Sequence, residues 1–393
     1  MKNFSEIKSS YEKNILPTYA RYQVAFSKGE GCKLWDTEGN EYLDFSSGVG
    51  VNSVGHSHPT WVKAICEQAT QLTHVSNLYY TKPGAVLAER LCKISGMNGV
   101  FFCNSGAESV EGVIKTARKY SFDKYGAGRH VIITLEDSFH GRLGASLPAT
   151  GQPKFHKECF APFMEGFRHV SANDFAALEA QTGNDVCALL IEPIQGEGGV
   201  LPLCEEYVKK AAALCEKNDW LLICDEVQTG IGRTGEWFGF QNYGIAPDAV
   251  TFAKGIAGGM PLGGFILGKK LHKTLGAGDH GTTYGGNLIC AAAALSVLDI
   301  IEPILADVKT NGAYICEKIA AMNLPHVAEI RGRGLMIGIK LEGIAHTDAV
   351  SKLLEAGLVA LPAGADVLRF LPPLVITREE IDAGLAILEK TLR

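Results

Sequence analysis

LLICDEVQTGIGRTG (221–235) and, a short loop later, PDAVTFAKG (247–255) decide how this chain is read. Each stretch opens on an aliphatic run and ends on a charged side chain, Asp225 in the first and Lys254 in the second. A Leu/Ile/Val run that does not alternate with polar residues fits a strand buried on both faces. Working outward, VFFC (100–103), HVIITL (130–135), VCALLIEP (186–193), WLLICDE (220–226), DAVTFA (248–253) and GFILG (264–268) repeat the pattern. AESVEGVIKTARKY (107–120) and YVKKAAALCEKN (207–218) read as helices between such strands. The alternation predicts an α/β fold, a mostly parallel sheet with helices on both faces. Ligands of such sheets gather at the carboxyl ends of the strands, where Asp225 and Lys254 fall.

The two ends of the chain differ from this middle. CAAAALSVLDIIEPI (290–304) reads as a long connecting helix. IRGRGLMIGIKL (330–341), a helix near 347–356, LVALPA (358–363) and a closing helix near 378–392 suggest a smaller α+β unit. GCKLWDTEGNEYLDF (31–45) reads as a hairpin turning at Glu38-Gly39-Asn40. The expected division is an N-terminal segment over 1–50 packing with the small domain, a large domain over 51–285, and a small C-terminal domain over 286–393.

Composition narrows the function. The net charge of −6 offers no basic field for nucleic acid or an anionic membrane. Eleven cysteines without a CxxC pair point to free thiols in a reducing cytoplasm, not to a disulfide framework or a zinc site. The polar start MKNFSEIKSSYEKN lacks the apolar core of a secretory signal, and no apolar run reaches the roughly 18 residues of a membrane span.

Asp225 and Lys254 lie 29 residues apart, room for a loop and a return to the sheet. A lysine ending a buried strand is costly to leave charged, so it is paired, displaced or used chemically as an amine. In isolation an ion pair at a sheet edge is the better reading of the two. Their company argues otherwise. Asn104-Ser105-Gly106-Ala107 sits between a strand and a helix, where backbone N–H groups and the helix dipole can cradle a phosphate. Ser138-Phe139-His140-Gly141-Arg142 follows another strand and offers a flat aromatic and a guanidinium fork.

With these segments in view, the chain resembles the class III pyridoxal-phosphate aminotransferases of fold type I. The resemblance runs from LWDTEGNEYLDF and VGHSHP (54–59) through FFCNSGAES, SFHGR, EPIQGEGG (192–199), DEVQTGIGRTG and FAKG to HGTTYGGN (280–287), RGRGLMIG and LRFLPP (368–373). It implies a seven-stranded sheet, pyridoxal 5'-phosphate as cofactor, and the following roles. Lys254 is the Schiff-base lysine and proton shuttle, and Asp225 partners the pyridine nitrogen. Val227 and Phe139 take opposite faces of the ring, Gln228 its hydroxyl with Glu192 nearby, and Ser105, Gly106 and Ala107 the phosphate. Thr283 reaches the phosphate of the neighbouring subunit with Thr282 beside the substrate, which implies a homodimer with shared sites. Arg142 grips an α-carboxylate. Glu197 pairs with Arg369 and releases it when a second carboxylate arrives.

The reaction so implied moves the terminal amine of N2-acetylornithine, or of a close N-acylated diamino acid, to 2-oxoglutarate. Ornithine, succinylornithine and 4-aminobutyrate are the alternative donors. Val49 stands where ornithine enzymes carry a tyrosine, which favours an acylated donor, whereas Tyr19 matches another tyrosine of those enzymes. Val110, Leu143 and Leu288 depart from the family pattern without removing a catalytic group. Gly276–Gly281 fits GxGxxG but lacks a strand before it, and Lys270 spoils a Walker-like loop. His56 and His58 have no apparent third ligand, so no metal is expected.

Overall fold

A computed structural model describes residues 3–393. Its centre is a seven-stranded sheet of Gly99–Cys103, Gly263–Leu267, Ala249–Phe252, Leu221–Asp225, Val186–Ile191, Val131–Leu135 and Phe167–Val170, in that spatial order. Gly263–Leu267 runs antiparallel to both neighbours, and the other adjacent pairs are parallel. The Val131–Leu135, Val186–Ile191 and Leu221–Asp225 strands are buried at every position, as unalternating aliphatic runs require. Six of the seven strands match the sequence expectation; Phe167–Val170 was not among them. Its residues FRHV form a half-buried edge strand with little aliphatic signal.

The helix Gly106–Tyr125 crosses the sheet and buries Val110, Val113, Ile114 and Ala117. Gly112 lets it approach closely, since a Cβ there would lie 2.2 Å from the Phe265 ring. The connecting helix runs over Leu288–Ile301, and a further helix, Leu305–Ala321, follows a 3-10 turn at Glu302–Ile304. Contrary to the sequence reading, Leu288–Ala321 is long and apolar enough to cross a membrane by length and composition. Half of its most apolar window is buried in the fold, and Leu288–Ile301 packs on Pro59–Gln71 and Lys82–Ser95, the setting of a core helix.

A second sheet orders Val327–Arg333, Met336–Leu341, Val367–Phe370 and Leu361–Ala363. A third joins the hairpin Lys33–Asp36/Glu41–Asp44 to Phe26–Glu30 on one side and Leu358–Val359 on the other, so strands between residues 26 and 44 share a sheet with a strand of the C-terminal region. His56 hydrogen-bonds Asp44 at 2.8 Å, and His58 accepts from Thr60 N at the start of Pro59–Gln71. All eleven cysteines are free.

Candidate active site

At the carboxyl ends of the central strands lies a cavity of about 610 Å³. Strand pairing brings its two decisive groups there. Asp225 ends Leu221–Asp225 and stands opposite Thr251 of the neighbouring parallel strand; Lys254 follows three residues after Thr251. The backbone at Lys254 has φ +40°, a left-handed conformation that costs a side-chain-bearing residue about 1–3 kcal/mol. The turn is held from outside, Ser53 Oγ donating to Gly255 O at 2.6 Å and Trp61 Nε1 to Ala257 O at 3.0 Å. Burial pushes the Lys254 ammonium below its ordinary range, with Glu197 opposing the shift and Arg369 adding to it.

Asp225 is buried and fully engaged. His140 Nδ1 lies 2.7 Å from Oδ2, while Oδ1 accepts from Thr251 Oγ at 2.8 Å and from Val227 N at 3.1 Å. Contacts on both oxygens fix the direction of the carboxyl group.

On one side of the cavity, Ser105 caps Gly106–Tyr125, its Oγ accepting from Glu108 N at 3.3 Å, and Glu108 Oε2 accepts from Asn104 N at 2.6 Å. The N–H groups of Gly106 and Ala107 belong to the first turn, which helix geometry leaves without intrahelical acceptors. Gly106 is required by packing, since a Cβ there would stand 2.7 Å from Val227 Cγ1. Phe139 lines another side and packs edge-on against Phe155 at 5.5 Å. Its backbone N–H donates to Glu192 Oε1 at 2.8 Å, and Gly196 N donates to Oε2 at 3.2 Å. Burial raises the Glu192 carboxyl to about 7, with His140 and these N–H groups opposing and Asp225 reinforcing the shift. Arg142 lies exposed at the rim, its guanidinium 4.6 Å from the Phe155 ring centre.

Glu197 and Gln228 line the cavity with Arg369 beside them. Arg369, 2% exposed on the strand Val367–Phe370, donates from Nη1 to Glu197 Oε1 at 2.7 Å and to Gln228 Oε1 at 3.1 Å. Burial disfavours charge on Glu197, but Arg369 and Lys254 outweigh it and hold its carboxyl at about 2.

Thus Ser105, Gly106, Ala107, Phe139, Arg142, Glu192, Glu197, Asp225, Val227, Gln228 and Lys254 all line one cavity. Thr282 is next to it, its Oγ accepting from Asn104 Nδ2 at 3.2 Å, and Thr283 is exposed. Tyr19 is not brought in: it is 74% exposed in a separate groove formed by residues 4–26. His140 and Thr251 were missed as partners of Asp225. His140 lies inside the SFHGR segment, but its partner is 85 residues away and only the fold joins them.

An amine on a strained turn, a fixed carboxylate beside it, a helix N-terminus and two apolar walls fit the aldehyde, ring nitrogen, phosphate and ring faces of pyridoxal phosphate. The fold and this site define a fold type I pyridoxal-phosphate enzyme. A family model described as Aminotransferase class-III matches residues 17–392, and the chain belongs to that family of pyridoxal-phosphate-dependent aminotransferases. It is 48% identical over 390 residues to an acetylornithine aminotransferase of Haemophilus ducreyi, covering 98% of each chain. A succinylornithine transaminase of Yersinia pseudotuberculosis is 42% identical, with 96% of this chain and 94% of the relative covered. Among solved structures, the ornithine aminotransferase of Toxoplasma gondii superposes with a TM-score of 0.95 at 31% identity, covering 100% of this chain and 95% of that one. The N-acetylornithine aminotransferase of Stenotrophomonas maltophilia gives 0.84 at 37% identity, covering 98% of each chain.

Proposed function

We propose that the chain transfers the terminal amine of N2-acetylornithine, or of a close N-acylated diamino acid, to 2-oxoglutarate, yielding a semialdehyde and glutamate in arginine biosynthesis in the cytoplasm. The observation that carries this reading is the Glu197–Arg369 pair at 2.7 Å beside the cavity. Two substrates must alternate in one site, one with a neutral acylated tail and one with a second carboxylate. With the pair closed, the site presents little net charge to the neutral tail. With Glu197 turned away, Arg369 offers its fork to the carboxylate.

When bound, pyridoxal phosphate supplies an aldehyde for the amine and an electron-withdrawing ring. Lys254 holds the cofactor and moves the proton to and from the carbon bearing the amine; its lowered basicity suits both directions. Asp225, steered by His140 and Thr251, would face the ring nitrogen and favour its protonated form. Val227 and Phe139 would cover the ring faces, Gln228 would meet the ring hydroxyl, and Ser105, Gly106 and Ala107 would bind the phosphate. Arg142 grips an α-carboxylate from the rim.

The same reading makes the protein a homodimer. Leu78, Tyr79 and Tyr284 are 87%, 69% and 65% exposed, a patch that a lone chain leaves wet beside Thr282 and Thr283. Asn77 ties the two loops, donating to Gly285 O at 3.0 Å. Thr283 then serves the partner's phosphate. Co-expressing Lys254→Ala chains with Thr283→Ala chains would restore one competent site per mixed dimer; no recovery would place Thr283 outside the partner's site.

The deciding experiment is a donor screen scored by glutamate formed from 2-oxoglutarate. N2-acetylornithine should give the highest kcat/KM among acetylornithine, succinylornithine, ornithine, succinyldiaminopimelate and 4-aminobutyrate. A clear preference for free ornithine or 4-aminobutyrate would reject the acylated-donor reading.

A further inference from the structure

The carboxylate Glu197 sits in the turn Gly196–Val200 that joins the short strands Ile194–Gln195 and Leu201–Pro202. This turn is unusual in its backbone. Val200, fully buried, has φ +54°, and Gly199 before it has φ +119°. A β-branched residue is the side-chain type least suited to the left-handed region, so the conformation persists only because its surroundings impose it.

Those surroundings are one row of the C-terminal sheet. Arg331 pairs across the ladder with Gly338, and Gly338 with Arg369, so the three stand side by side on neighbouring strands. Arg331 donates from Nε and Nη2 to Gly199 O at 3.1 and 2.9 Å, and its Nη1 is steadied by Glu329 Oε2 at 2.8 Å. Gly338 leaves a slot for Val200: a Cβ there would come within 2.8 Å of Val200 Cβ. Arg369 takes Glu197 itself, and Gly364 N donates to Glu197 O at 3.0 Å. Arg369 Nε is buried with no partner among the described residues, a donor left over for an acceptor other than Glu197.

We propose that Arg331 and Gly338 are positioning residues for substrate choice: they clamp the strained turn so that Glu197 stays closed on Arg369 until a second carboxylate displaces it. The proposal rests on the Glu197–Arg369 exchange described above and names the residues that set its balance. Loosening the clamp lets Val200 relax and Glu197 withdraw. Arg369 is then free more of the time, which favours dicarboxylates and penalises neutral tails.

The test uses the holoenzyme and two non-reacting probes, glutarate and valerate, a dicarboxylate and a monocarboxylate of equal length, with affinities measured by calorimetry. Arg331→Met should raise the ratio of glutarate to valerate affinity by about 3- to 10-fold, the size of a modest coupling between sites. Gly338→Ala, which intrudes on Val200 while leaving both arginines, should shift the ratio the same way. Arg331→Lys should recover part of the change. KM for 2-oxoglutarate should fall relative to KM for the acylated donor in both loosened variants. An unchanged ratio, or equal losses for both probes, overturns the clamp. Arg369→Ala separates the two levels of the argument. If it abolishes the preference for glutarate while Arg331→Met and Gly338→Ala do not alter it, the exchange stands and the clamp falls. If Arg369→Ala weakens both probes alike, the exchange fails and the clamp with it.

Discussion

His140 Nδ1 lies 2.7 Å from Asp225 Oδ2, and both side chains are buried. Thr251 and Val227 already donate to the other oxygen, so the imidazole completes a carboxylate surrounded by donors on its protein side. His140 is therefore the group that aims Asp225 at a ring nitrogen. A buried hydrogen bond to a charged group contributes about 1.5–3 kcal/mol. Replacing His140 with Ala should lower both kcat/KM and cofactor affinity by roughly 10- to 100-fold, since about 1.4 kcal/mol is a factor of ten. Cofactor retained after dialysis and glutamate formation are the two readouts. Full retention with full activity would reduce His140 to a packing residue.

Lys254 should tolerate no replacement. Lys254→Ala removes the only amine placed at the end of the strand Ala249–Phe252, and turnover together with the visible absorbance of the bound cofactor should vanish. Survival of either would refute the assignment. Gly106→Ala is expected to act more gently. Its new Cβ meets Val227 at 2.7 Å, so the βα turn and the ring-facing valine shift together and the cofactor binds more weakly.

Much of this was legible before folding because the central strands carry their signal locally. Leu221–Asp225 and Ala249–Phe252 are aliphatic runs ending in chemistry, and each matches its sequence reading within a residue or two. The missed strand Phe167–Val170 has an arginine and a histidine in its four residues and lies at the sheet edge, where burial asks less of it. Leu305–Ala321 was missed because Pro303 falls just ahead of it and suggests an end to helical structure; here the proline opens a 3-10 turn that leads directly into the next helix. The His140–Asp225 bond and the Arg331–Gly338–Arg369 row depend on pairings between distant segments, for which a single sequence carries no local pattern. Tyr19 shows the reverse: its match to a family position was legible, yet its own chain leaves it outside the cavity.

Glu192 gives a pH-dependent stability. Burial raises its carboxyl from 4.5 to about 7, so the folded state holds a proton that the unfolded chain releases between those values. The contribution is present below the unfolded pKa and is lost as pH rises through the folded one. Thermal stability of Glu192→Gln should therefore fall less steeply than that of the parent between about pH 5 and 7.5. At the acidic end, where the parent carboxyl is itself protonated and keeps one carbonyl acceptor as the amide does, the two proteins should be close in stability. Parallel melting-temperature curves would remove Glu192 from the titrating groups.

Arg369 supplies the sharpest functional test. It is 2% exposed and paired with Glu197, whose carboxyl is held at about 2 and so stays ionised throughout the neutral range. Removing the cation strands Glu197 beside the cavity as an unpaired charge and deletes the only proposed grip for a second carboxylate. Arg369→Ala should thus raise KM for 2-oxoglutarate and glutamate by roughly 100-fold or more, the loss expected for a buried charge-assisted contact. The acylated donor, which never uses that grip, should lose no more than about tenfold, a cost set by the stranded carboxylate. Glu197→Gln should invert the pattern. It leaves Arg369 unneutralised, so dicarboxylates bind as well as before or better while the neutral tail meets an uncompensated cation. Measuring the two half-reactions separately, by single-turnover absorbance changes of the cofactor, keeps these effects apart. Equal losses in both halves for Arg369→Ala would mean that the arginine supports the fold and has no part in choosing between substrates.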